Sequence, residues 1–130
     1  MRRLHPNRLS PLDIERDLLS ADRIFQRWAR SVGCDLPPEE WDGVAAKPMG
    51  LPEDAAVWVD QYVCKRPDRM RRFLHAWYRG QDASAVIAKR FNVGRDEVYT
   101  LWRACLALAR TDFAREPCVS RLMIQQLEAA

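Results

Sequence analysis

From Ile14 onward, apolar side chains return every three or four residues. Ile14, Leu18, Ala21, Phe25, Trp28 and Val32 make one stripe over about five helical turns, the period of a helix that buries one face. Ser10-Pro11-Leu12-Asp13 supplies a start signal: a Ser cap, Pro in the first turn and an acid three residues after the cap. Gly33 supplies the stop. Ser20-Ala21-Asp22-Arg23 is a second cap pattern that would split the segment in two. Periodicity then lapses from Cys34 to Leu51, where Pro37, Pro38, Gly43, Pro48 and Gly50 mark a long irregular connection. Trp41 and Met49 are large apolar residues within it. They either pin the loop to the core or present a surface to a protein partner.

Five more helices follow. Pro52-Glu53-Asp54 opens the first, with acids at its positive end. Ala56, Val59, Tyr62 and Val63 form its inward face, and it stops before Pro67. Pro67-Asp68 starts the next, which carries Met70, Phe73, Leu74, Trp77 and Tyr78 and is expected to end on a Gly80 cap. Asp82 is the expected cap of a helix over about 83–91. Gly94, with Glu97 three residues on, opens a helix that runs through Trp102, Cys105, Leu108 and Ala109 to about Thr111. The C-terminal half of that helix is expected to pack on the N-terminal one. Pro117 then opens a fifth, short helix with Val119, Leu122, Met123 and Leu127 apolar. It either completes the core or contacts a partner, a second copy of the chain included.

No strand alternation is present, so the expected fold is all-α, a helical bundle containing a helix-turn-helix. A chain of 130 residues supports one modest core. Within it the segments are an N-terminal helical part (1–33), a Pro-rich loop (34–52), a helix-turn-helix core (53–112) and a C-terminal helix (113–130).

Ser84 to Arg103 is the most informative window. Ile87, Ala88 and Phe91 share one face of a first helix, and Val98 and Leu101 one face of a second. Ala88 stands where the two must cross closely. Asn92 stands where the chain must reverse, and Asn tolerates the left-handed conformation better than most residues with a side chain. Such a pair can insert its second helix into a DNA major groove.

Charge strengthens this reading. The net +3 of the chain hides a block from Lys65 to Arg95 with nine Lys/Arg against two Asp, a local +7 just before the second helix. On that helix the outward set is Arg95, Asp96, Tyr99, Thr100 and Arg103. Arg95 and Arg103 can pair with guanine or clamp phosphate, Asp96 can accept from cytosine, and Tyr99 and Thr100 can reach base or backbone. Arg71, Arg72, Arg79, Lys89 and Arg90 are the expected backbone clamps.

Other chemistry is thin. Cys34, Cys64, Cys105 and Cys118 lack CxxC pairing, His5 and His75 stand alone, and no metal or other cofactor is expected. Cys64 and Cys105 read as small core residues. No nucleophile–base pair, phosphate-cradling Gly loop or paired carboxylates beside a His appears, so an enzyme is not expected. The apolar runs are too short for a bilayer, and the basic N-terminus lacks an apolar signal region. A cytoplasmic protein without membrane contact is expected.

The run LHAWYRGQDASAVIAKRFNVGRDEVYTLWRACLALAR resembles region 4 of sigma factors. With RIFQRWARS, LPEDAAVWVD and the WYRG ending, over residues 20–112, it more closely resembles the phage antitermination protein Q family, in a compact form without the cysteine-paired zinc insert. That resemblance implies a protein that binds DNA near a late promoter. It implies loading onto paused bacterial RNA polymerase holoenzyme, sigma included, and passage through terminators in a host cytoplasm. Trp41, Met49 and Leu122 are the expected partner contacts.

Overall fold

The computed structural model describes residues 16–31 and 50–129, and among these every regular element is helical. The helices are α1 (Arg16–Ala29), α2 (Glu53–Cys64), α3 (Asp68–Leu74), α4 (Ser84–Phe91), α5 (Arg95–Phe113) and α6 (Pro117–Ala129). A π-helical turn, His75–Arg79, continues α3. The all-α expectation therefore holds. The expected start at Ser10, the stop at Gly33, and Trp41 and Met49 lie outside the described residues.

α1 is one helix through Ser20–Arg23, not two. Its stripe of Leu18, Ala21, Ile24, Phe25 and Trp28 is buried, and so are Ser20 and Asp22. The apparent second cap consists of polar groups drawn into the core. Asp22 Oδ1 accepts from the Tyr78 hydroxyl at 2.6 Å, and Asp22 Oδ2 accepts from Gln26 Nε2 at 2.7 Å. The chain re-enters beside the C-terminus of α1, where Arg27 Nη2 donates to Gly50 O (3.0 Å) and Leu51 N donates to Ser31 Oγ (2.8 Å).

α1 packs on α2, α5, α6 and the π turn. Phe25 centres an aromatic cluster, with ring centroids 5.1 Å from Tyr78 and 5.2 Å from Phe113. Phe113 also meets Trp58 and Tyr62 edge-on. Leu106, Ala109 and Phe113 are buried, so the C-terminal half of α5 does lie under α1. α6 buries Val119 and Met123, and Gln126 Nε2 donates to Ser20 O at 3.1 Å. Of its two expected roles, α6 completes the core.

The π turn explains how α3 serves two regions at once. A wider turn brings three consecutive residues inward, and Ala76, Trp77 and Tyr78 are all buried. Tyr78 faces α1, whereas Trp77 stacks on Trp102 of α5 at 5.4 Å. Gly80 is the C-terminal cap expected from sequence, its N–H donating to His75 O. It stays right-handed (φ −74°), and Gln81 takes the positive φ of 51°. A Cβ on Gly80 would meet Ala76 O at 3.1 Å, so the glycine relieves crowding rather than reversing the chain.

Candidate nucleic-acid interface

α4 and α5 meet through a cap that Asn92 makes possible. Its φ of 55° and ψ of 50° are left-handed. This turns Asn92 N toward Lys89 O (3.2 Å) and Val93 N toward Ala88 O (2.9 Å), the crossed pair of a Schellman motif. Gly94 then caps α5, with Glu97 Oε1 accepting from Gly94 N at 3.1 Å. Ile87, Ala88, Phe91 and Val98 are buried between the two helices, and Leu101 is half-buried. The small Ala88 lets the backbones approach.

α3 and its π turn form the third side. Phe73 meets Phe91 edge-on at 5.9 Å, and Trp77 meets Tyr99 edge-on at 5.6 Å. Behind them Trp102 Nε1 donates to the Tyr78 hydroxyl (3.0 Å), which donates onward to Asp22. Burial, and the adjoining Asp22 carboxylate, push the Tyr78 hydroxyl well above the usual tyrosine range. It therefore remains a proton donor at neutral pH.

Arg95, Asp96, Thr100 and Arg103 are exposed along the first half of α5. Thr100 Oγ1 turns back to Asp96 O at 3.4 Å. Tyr99 departs from expectation. It is 2% exposed and lies against Trp77, so it does not face outward. The reason is readable in the spacing. Tyr99, Trp102, Leu106, Ala109 and Phe113 follow one another by three and four, so Tyr99 begins the inward stripe of α5.

The expected clamps divide. Arg79 is not one of them. Its side chain is 10% exposed, with the guanidinium 4.6 Å over the Trp28 ring and Nη2 3.7 Å from Asp60. Arg79 Nε and Nη2 make no hydrogen bond among the described residues, so charge and ring contact hold it. Asp60 also accepts from Trp28 Nε1 at 3.1 Å. Arg71 and Arg72 are ion-paired with Asp68, the latter at 2.8 Å, and Arg90 with Asp82 at 2.9 Å. Asp82 is thus an ion-pair partner rather than the expected cap, and α4 begins from Ala83. Lys89 is exposed.

Sequence reading passed over Arg69. Its Nη2 donates to Phe91 O at 3.3 Å, and its guanidinium lies 5.4 Å from the Phe91 ring centre, with that of Arg72 at 5.5 Å. The signal was available: Arg69 and Arg72 are three apart on α3, on the side next to Phe73. Together with Lys89 and Arg90 near the end of α4, they put a basic surface beside the turn.

Leu122 is half-buried on α6. Cys64 is exposed rather than a core residue, with its Sγ 3.8 Å from Asp60 Oδ2. Cys105 is buried as expected, and burial pushes its thiol up to about 12. No cluster of metal-ligating residues occurs among the described residues. None of their helices is long and apolar enough to cross a membrane. No family model, curated protein or solved structure matches this chain.

Proposed function

We propose that this protein binds double-stranded DNA through a helix-turn-helix formed by α4 and α5, related to that of sigma region 4, and acts as a transcription antitermination factor. The observation that carries the DNA-binding part is the capped α4–α5 pair. Its left-handed Asn92 turn is followed by a helix whose first half exposes Arg95, Asp96, Thr100 and Arg103. The Arg69, Arg72, Lys89 and Arg90 surface beside it supplies positive charge for phosphates. The antitermination part rests on the sequence resemblance to the phage Q family, with RNA polymerase holoenzyme as the implied partner.

In-vitro transcription through a terminator downstream of a cognate late promoter tests the whole reading. Added protein should raise readthrough. A change in initiation alone would instead make it a plain helix-turn-helix repressor or activator. DNA affinity should fall steeply with salt, and salt-independent binding would remove the DNA-binding part.

One observation favours a second reading, a polymerase-binding protein that ignores DNA. Leu108 in the C-terminal half of α5 and Ile124 on α6 are 43% and 51% exposed, and several arginines of the basic block are paired within the protein. On that reading, Arg95→Ala and Arg103→Ala leave readthrough intact.

A further inference from the structure

The arginines around the α4–α5 turn separate into two groups. Arg69 caps the Phe91 carbonyl, Arg71 and Arg72 share Asp68, Arg79 is enclosed beside Asp60 and Trp28, and Arg90 holds Asp82. Arg95 and Arg103 are exposed, and no hydrogen bond or ion pair among the described residues engages either one. Their guanidinium forks are free to meet an external partner.

They also stand in a defined relation to one another. Eight residues of helix separate them by about 12 Å along the axis and by less than about a quarter-turn around it. Stacked base pairs are about 3.4 Å apart, so 12 Å spans roughly three to four steps. A planar guanidinium matches the paired O6 and N7 acceptors of guanine in the major groove. Asn and Gln, the adenine readers, are absent from the exposed face of α5. Thr100, between the two arginines, carries a methyl that suits thymine, and its hydroxyl is turned back to the helix.

We infer that Arg95 and Arg103 are the specificity-determining residues of the interface, each reading a guanine, and that the DNA element contains two G·C pairs three to four steps apart. The inference rests on the DNA-binding reading above. Arg69, Arg72 and Arg90, exposed but engaged within the protein, position it on phosphates and carry no base preference.

The test uses the full chain and a pool of duplexes randomised over eight base pairs, selected by binding and sequenced. The enriched duplex is then titrated with single-base changes and with 7-deazaguanine at each selected guanine. Two G·C positions should emerge, and 7-deazaguanine at either should weaken binding about 5- to 150-fold. Arg103→Ala should erase preference at one position and Arg95→Ala at the other. Arg103→Lys keeps the charge but not the fork, so it should lose the guanine preference while the salt dependence stays near wild type. Both sites are exposed, and an unchanged helical spectrum and melting midpoint verify that the variants fold. Salt-dependent binding with no base preference, or with A·T preference alone, overturns the inference and leaves the DNA-binding reading standing. No binding to any duplex overturns both.

Discussion

From Cys105 to Phe113, α5 lies beneath α1, in a cluster where Phe25, Trp28, Tyr62, Tyr78 and Phe113 meet ring to ring. From Arg95 to Arg103 the same helix touches the rest of the molecule along one side, through Val98, Tyr99, Leu101 and Trp102, and turns its other side outward. The charges differ in the same way. In the first region Asp22, Asp60 and Arg79 are enclosed and matched to partners. In the second, Arg95 and Arg103 are exposed. A buried charge must be balanced by its neighbours, so it is committed to the fold. An exposed arginine contributes little to stability and remains available for contact. Charge count alone does not distinguish the two; burial does.

The largest expected effect comes from the residue that joins the regions. Trp102→Ala removes the stack on Trp77 and the donor to Tyr78. It should cost about 3–5 kcal/mol of unfolding free energy, read from the denaturant midpoint. If the cost is under 1 kcal/mol, the two regions are not joined there. Asp60→Ala leaves Arg79 enclosed without its counter-charge and should cost about 3 kcal/mol. Arg103→Ala should shift the midpoint by less than about 0.5 kcal/mol. Comparable losses from these two would erase the contrast between enclosed and exposed charge.

At the turn, Asn92→Ala forces a side chain without a local hydrogen-bonding group into the left-handed region. A loss of about 1 kcal/mol is expected, with Asn92→Gly near wild type. The smallest effect concerns His75. Burial, and then the nearby Arg79 charge, lower its pKa below the usual histidine value. The fold thus favours the neutral ring. Its contribution is present above the unfolded value of about 6.5 and is lost as pH falls through the lower folded value. Stability should decline more steeply between pH 7 and 5 in the wild type than in His75→Gln, measured by urea titration at each pH.

Helix existence and type were legible because the apolar stripes were long and the punctuation strong. Pro52, Pro67, Gly94 and Pro117 each stand at the helix start expected of them. Asn92 was legible because the left-handed region admits few residues. The errors share a physical cause. Tyr99, Arg79, Ser20 and Asp22 are polar or amphipathic groups that the core accepts through specific hydrogen-bond, charge or ring partners, and sequence position does not reveal the partner. The positive φ at Gln81 was not legible, because the π turn shifts the chain reversal one residue past the Gly80 cap. A one-residue widening leaves no mark in a pattern read at a fixed period. The outward face of α5 was legible where its residues lie off the apolar stripe, and Tyr99 was misplaced where it lies on it.

α5 is 19 residues long, which makes it a rod of about 28 Å. Its far end is clamped under α1, and its near end carries the exposed arginines. A rod held this way acts as a lever. A tilt of about 5° at the clamped end sweeps the tip through roughly 2 Å, several times the range of about 0.5 Å over which a hydrogen bond holds. The aim of Arg95 therefore depends on the far packing of Leu106, Ala109 and Phe113 as well as on Val98 and Tyr99 beside it, and a partner that pressed on α1 would bear on the tip without touching it.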